Sequence, residues 1–110
     1  MSEKIIVFSN CGSQEQAQRV ARALVDTHVC ACVNIVPGIQ SIYRWQGSVQ
    51  EEAEWMLIIK TRRELFEQLS VELRKNHSYE IPEVIAIPII EGSPDYLDWI
   101  DRETVGSANF

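Results

Sequence analysis

No apolar run in these 110 residues reaches the roughly 18 to 20 that a membrane-crossing helix requires. The opening, Met1-Ser2-Glu3-Lys4 before a short apolar stretch, also lacks the layout of a secretion signal. A cytoplasmic protein with no membrane partner is therefore expected. Positive charge is scarce too: ten Lys and Arg stand against sixteen Asp and Glu, for a formal net charge of -6. A surface of that sign repels phosphate backbones and anionic headgroups, which argues against nucleic acid as a partner.

Histidine is limited to His28 and His77, and neither stands in a serine or cysteine hydrolase motif. There is no G-x-x-x-x-G-K phosphate loop and no dinucleotide fingerprint. Catalysis and an organic cofactor thus find no support, and a non-enzymatic role is expected. Cysteine is sparse and odd in number, at Cys11, Cys30 and Cys32, which speaks for reduced thiols rather than a disulfide framework. One residue between Cys30 and Cys32 is also too few for the usual zinc-binding pair.

What the chain does have is 45% apolar residues, enough for one core in a single domain over residues 1–110. Lys4 to Ser9 reads as a strand, closed by the turn chemistry of Asn10, Cys11 and Gly12. Ser13 and Gln16 have capping-box spacing, and Ala17, Val20, Ala21, Leu24 and Val25 recur at helical steps. From Val29 the period becomes that of a strand, bent at Pro37-Gly38 and continuing to Trp45. After a turn at Gln46-Gly47-Ser48, Val49 to Lys60 returns as its partner. Thr61 and Glu64 again have capping-box spacing, ahead of a stripe of Leu65, Phe66, Leu69 and Leu73 that ends in Arg74 and Lys75. Val84 to Ile90 is a last strand, placed at an edge by Pro88, and Ser93-Pro94 starts a short terminal helix. Residues from about 104 to 110 are expected to fray.

Strand, helix, strand, strand, helix, strand and terminal helix describe an α+β, ferredoxin-like split βαβ fold. Its antiparallel sheet carries helices on one face and a long hairpin of the second and third strands. A twelve-residue strand reaches roughly 40 Å, beyond the core of so small a domain. Trp45 and Trp55 are then expected to be exposed in a monomer, and open edges with aromatic patches call for assembly. RNA-recognition domains share this topology, but an aromatic RNP-like strand and a basic face are missing.

Five segments occur in order: A-C-V-N-I-V-P-G from Ala31, S-I-Y-R-W-Q-G from Ser41, I-K-T from Ile59, H-S-Y-E-I-P-E from His77 and G-S-P-D-Y-L-D-W from Gly92. Together they resemble the CutA family of divalent-cation tolerance proteins, from Ile5 to about Trp99. The resemblance implies a PII-like homotrimer associated with tolerance to copper and other divalent metals. It also implies copper ligands in some members: a cysteine ending the first strand, and histidines just before the Tyr-x-x-Pro-Glu segment. Thiolate and imidazole suit copper, the cuprous ion preferring sulfur.

In this chain the strand-end position falls on Ser9, with Cys11 two residues later, and the histidine pair is reduced to Asn76 and His77. Cys11 and His77 are accordingly the candidate ligands for copper, Cu2+ or Cu+, or another divalent cation. The competing reading is a turn cysteine and a helix-end histidine that complements the dipole. Cys30 and Cys32 read as core packing on one strand face. The resemblance places Tyr43, Trp45, Lys60, Tyr79, Glu80, Pro82 and Glu83 near clefts between subunits. Lys60 is read there either as the acceptor of an anionic ligand at a helix start or as half of an intersubunit ion pair, for example with Glu83. Glu51, Glu52 and Glu54 read as a solvated acidic face or a weak attractor of hard cations.

Overall fold

A computed structural model describes residues 3–104. Its elements are β1 (Lys4–Cys11), α1 (Gln14–Asp26), β2 (Cys32–Trp45), β3 (Ser48–Arg62), a 3-10 turn at Arg63–Leu65, α2 (Phe66–Asn76), β4 (Ile85–Pro88) and α3 (Pro94–Arg102). The four strands make one antiparallel sheet in the order β2-β3-β1-β4. This is the expected ferredoxin-like α+β arrangement with an added terminal helix.

Alternation decides the faces. Along β1, Ile5, Val7, Ser9 and Cys11 are buried, while Ile6, Phe8 and Asn10 are only partly covered. Leu57 and Ile59 of β3 extend the buried face, and Ala17, Val20 and Leu24 of α1 with Leu69 and Leu73 of α2 pack into the same core. Each large apolar side chain buried this way contributes about 1.5–3 kcal/mol, far more than a turn preference can oppose. The cap of α1 forms as expected, Ser13 Oγ accepting the N–H of Gln16 at 3.1 Å.

The hairpin pairs Cys32 with Lys60 at its base and Trp45 with Ser48 at its tip, with a register shift between Val36 and Ile39 where Pro37-Gly38 bends the strand. Gln46 and Gly47 both have positive φ, 51° and 85°, as a tight two-residue turn between right-twisted strands requires. The molecule is 47 Å long against 27 and 22 Å in the other directions.

Several local expectations yield to the sheet. Asn10 and Cys11 do not turn; they pair with Met56 and Trp55, so β1 runs two residues past Ser9. β2 begins at Cys32, not near Val29; Cys30 lies before it in the core and Cys32 is half-buried, so the two do not share a strand face. Thr61 does not cap α2, because it still belongs to β3 and its hydroxyl donates to Val29 O at 2.7 Å inside the protein. The 3-10 turn intervenes, and α2 starts without a side-chain cap. Ser93 precedes Pro94 at the start of α3 but makes no side-chain cap bond. Trp45 is exposed as expected, whereas Trp55 packs against the core.

The short β4 does lie at an edge, its terminal Pro88 opposite Ile5. Thr104, expected to fray, is instead buried: its Oγ1 accepts from Arg62 Nε at 2.9 Å and donates to Ile100 O at 2.9 Å. Lys4 Nζ and Arg62 Nε lie 3.2 and 3.8 Å from Asp101 carboxylate oxygens, tying α3 to the ends of β1 and β3. The rest of the expected tail, 105–110, lies outside the described residues.

Candidate functional site

The extension of β1 carries Cys11 to the strand's last position, and α2 ends one residue before His77. The two side chains meet there, Sγ 3.7 Å from Nε2. His77 Nε2 is also 2.7 Å from Asn10 O, and Nδ1 is 3.1 Å from the backbone N of Tyr79. An amide can only donate and a carbonyl can only accept, so the neutral ring carries its proton on Nε2 and accepts on Nδ1. The ring also lies against Tyr79, centroids 4.7 Å apart. Cys11 is fully buried, and burial, reinforced by the Glu54 carboxylate and opposed by Arg19, pushes its thiol up to about 11. Asn76 is turned away, donating to Glu72 O at 2.9 Å. Ser9, on the buried face of β1 two residues before Cys11, has a hydroxyl without a hydrogen-bond partner among the described residues.

As a metal site this pair is minimal. Among the described residues no group of three His, Cys, Asp or Glu side chains could hold an ion. What is present is one soft sulfur and one imidazole, a donor set for a soft ion of low coordination number rather than for a hard or octahedral one. Metal–sulfur and metal–nitrogen bonds of about 2.3 and 2.0–2.1 Å together span more than the observed 3.7 Å, so both donors can reach one ion.

Beside this pair, the segment after α2 crosses the end of β1 and faces the hairpin. Tyr79 donates its phenolic proton to Glu54 Oε2 at 2.6 Å, Tyr43 donates to Glu52 Oε1 at 2.8 Å, and Asn10 Nδ2 donates to Glu83 Oε1 at 3.2 Å. These residues, with Trp45 and Glu80, line a cavity of about 750 Å³. Burial first, and then the bond to Glu54, raise the Tyr79 phenol; for Tyr43 the bond to Glu52 is the main cause of a rise. Five of the seven residues expected at a cleft therefore come together here, while Pro82 and Lys60 are not among the lining residues.

Lys60 does not join them. It lies outside the cavity lining, and its ammonium bonds the side chain of Asn34 on the neighbouring strand. Within the one chain Glu83 is held by Asn10, and the 3-10 turn separates Lys60 from the start of α2. Glu54, read from sequence as solvated, is 5% exposed and is the partner of Tyr79. Its position gave no local signal, since Glu52 and Lys60 lie on the same strand face. Nothing local pointed to Asn10.

Residues 5–103 match the family model described as CutA1 divalent ion tolerance protein. The "Divalent-cation tolerance protein CutA" of Thermus thermophilus is 46% identical over 101 residues, covering 92% of this chain and 97% of that one. The chloroplastic protein CutA of Arabidopsis thaliana is also 46% identical, over 91% of this chain but only 55% of its own length, so the chain spans about half of that relative. The crystal structure of CutA1 from Oryza sativa superposes with a TM-score of 0.93 at 43% identity, covering 96% and 97% of the two chains. No helix among the described residues is long and apolar enough to cross a membrane.

Proposed function

Because this chain belongs to the CutA1 divalent ion tolerance family, we propose that it serves divalent-cation tolerance as a non-enzymatic cytoplasmic homotrimer that takes copper, foremost Cu+, on Cys11 and His77. The observation that carries the copper reading is the 3.7 Å approach of Sγ to Nε2 at the end of β1. For ligation Cys11 gives up its thiol proton, and the Nε2 proton of His77 moves to Nδ1, so the neutral ring exchanges its bonds to Asn10 O and to the Tyr79 N–H for the ion. Both steps release protons or require the neutral ring, so affinity rises with pH.

Trimer formation is supported by the uncovered apolar side chains. Ile85 and Ile87 are exposed on the edge strand β4, Ile81 and Ile90 flank it, and Ile42 and Val49 are exposed on the hairpin. Open edges and apolar patches of this kind are normally covered by a partner. Sedimentation is expected to show three copies at micromolar concentration, and a stable monomer would overturn the assembly.

Calorimetric titration with cuprous and cupric ions, on the wild type and on Cys11→Ser and His77→Ala, tests the ligands. Saturable binding weakened in both variants is expected; binding untouched by either change removes both residues from the site. A second reading, a PII-like signalling or scaffold trimer that holds a small metabolite or a partner protein in its intersubunit clefts, is favoured by one observation, the acid-lined cavity beside Tyr79. Absence of any saturable copper binding would favour that reading.

A further inference from the structure

We propose, resting on the copper reading of the Cys11–His77 pair, that metal occupancy there is transmitted to the intersubunit cleft through Tyr79, whose backbone is held by the ring that ligation turns to the ion.

Residues 77–83 form a strap from α2 towards β4, with neither helix nor strand of their own. Only Pro82 among them is buried, so hydrogen bonds rather than packing hold the strap in place. The Tyr79 N–H donates to His77 Nδ1 at 3.1 Å, and His77 Nε2 donates to Asn10 O at 2.7 Å. Ser78 Oγ donates to Gln16 Oε1 at 3.2 Å, and the Tyr79 phenol to Glu54 Oε2 at 2.6 Å. Asn10 also fastens the far end, its Nδ2 donating to Glu83 Oε1 at 3.2 Å.

A neutral imidazole has one N–H and one lone pair. When Cys11 releases its thiol proton to solvent and Nε2 turns its lone pair to the shared ion, the single ring proton sits on Nδ1. It then faces the Tyr79 N–H, a donor against a donor where a donor met an acceptor. A ligating imidazole ordinarily gives its second N–H to an acceptor, and the neighbour here is another N–H. Ligation through Nδ1 would use up the same lone pair, so either mode takes the acceptor from the Tyr79 amide.

Tyr79 carries the displacement onward. Its ring lies against that of His77, and its phenol is bonded to Glu54, which is buried on β3. Tyr79 lines the cleft with Ile81 of the strap and Ile42 of the hairpin, both among the apolar side chains that the trimer covers. A shift of Tyr79 therefore acts where subunits meet. Linkage makes the effect reciprocal: a contact that resists the shift lowers affinity for the ion, and the Tyr79–Glu54 bond is such a contact.

The test loads the whole protein with silver ion, a soft monovalent stand-in for Cu+ that keeps its oxidation state. Calorimetry is expected to show a silver equivalent that Cys11→Ser loses. Amide hydrogen exchange at Tyr79 is expected to quicken at least about tenfold on loading, with Ile59 in the middle of the sheet unchanged, and to keep its metal-free rate in Cys11→Ser. Tyr79→Phe frees the phenol from Glu54 without changing charge, and is expected to bind silver about two- to tenfold more tightly. Circular dichroism checks its fold; if it does not fold, the exchange rates of the wild type decide alone. Loss of the silver equivalent in Cys11→Ser together with unchanged Tyr79 exchange in the loaded wild type overturns the transmission and leaves the ligands standing. A folded Tyr79→Phe that binds no tighter than the wild type does the same. No silver equivalent that depends on Cys11 overturns the copper reading and the transmission with it.

Discussion

Gly12 lies so close to Tyr79 that a Cβ there would fall 2.9 Å from the phenolic oxygen, the atom that Glu54 holds at 2.6 Å. A glycine is needed here for space, not for its backbone freedom, since a side chain would push on the phenolic oxygen and strain its bond to Glu54.

Gly12→Ala is therefore expected to destabilise the protein by about 1–3 kcal/mol, the usual range for overpacking. Adding Tyr79→Phe removes the obstructing oxygen, so the double variant should lose less than the sum of the two. A double-mutant cycle in denaturant is expected to show a coupling of at least about 0.5 kcal/mol. Strict additivity would mean that the phenol is not what Gly12 makes room for.

Tyr79→Phe alone leaves Glu54 buried without its donor. Hydrogen bonds to charged groups contribute about 1.5–3 kcal/mol when fully enclosed, and because Tyr79 is only half-buried a loss of about 1–2 kcal/mol is expected. Tyr43→Phe, which breaks the equivalent bond to Glu52 in an exposed setting, should be close to neutral. Equal losses in the two variants, read from denaturation midpoints, would contradict the buried status of Glu54.

The turn at the hairpin tip should be open to improvement. Gln46 is held at φ 51°, a region that non-glycine residues enter at a cost and that asparagine tolerates best, and Gly47 follows it at φ 85°. Gln46→Asn is expected to stabilise by about 0.5 kcal/mol, seen as a higher melting temperature. A lower one would show that the tip does not keep this turn in solution.

Burial pushes the Cys11 thiol up to about 11 and, with Cys32 adding to it, the Cys30 thiol up to about 12. In the unfolded chain both ionise near the free-thiol value of about 8.5, so the unfolded state loses its protons first as pH rises. Their contribution to stability is complete below that value and is lost between it and the folded-state values. Denaturation midpoints should fall between about pH 8.5 and 10.5, and less steeply in Cys30→Ala. A midpoint that rises across this interval would contradict the buried, protonated thiols.

Much of the fold could be read along the chain. The Ser13 cap, the bend at Pro37-Gly38, the edge position forced by Pro88 and the apolar stripe through Leu69 and Leu73 all follow from neighbours within a few residues. Errors arose where local chemistry competed with the sheet. Asn10, Cys11 and Gly12 have the composition of a turn, but ladder bonds to Met56 and Trp55 keep the first two in β1. Thr61 and Glu64 have the spacing of a capping box, but the Thr61 hydroxyl finds Val29 O in the core. Glu54 looked solvated because an acidic run is normally solvated, yet its carboxylate meets the Tyr79 phenol.

By itself the sequence determined the element order, the buried faces and the family, because hydrophobic period, caps and motif spacing are properties of short segments. Only the tertiary structure decided which polar groups meet: Cys11 with His77, Tyr79 with Glu54 and Asn10 with Glu83, pairs that lie 66, 25 and 73 positions apart. Hydrogen bonds act over about 3 Å, so such meetings depend on strand register and on where the segment after α2 crosses the sheet. Periodicity leaves both unstated. The two proposed sites both lie at that crossing, the thiol–imidazole pair at the end of β1 and the acidic cavity beside it.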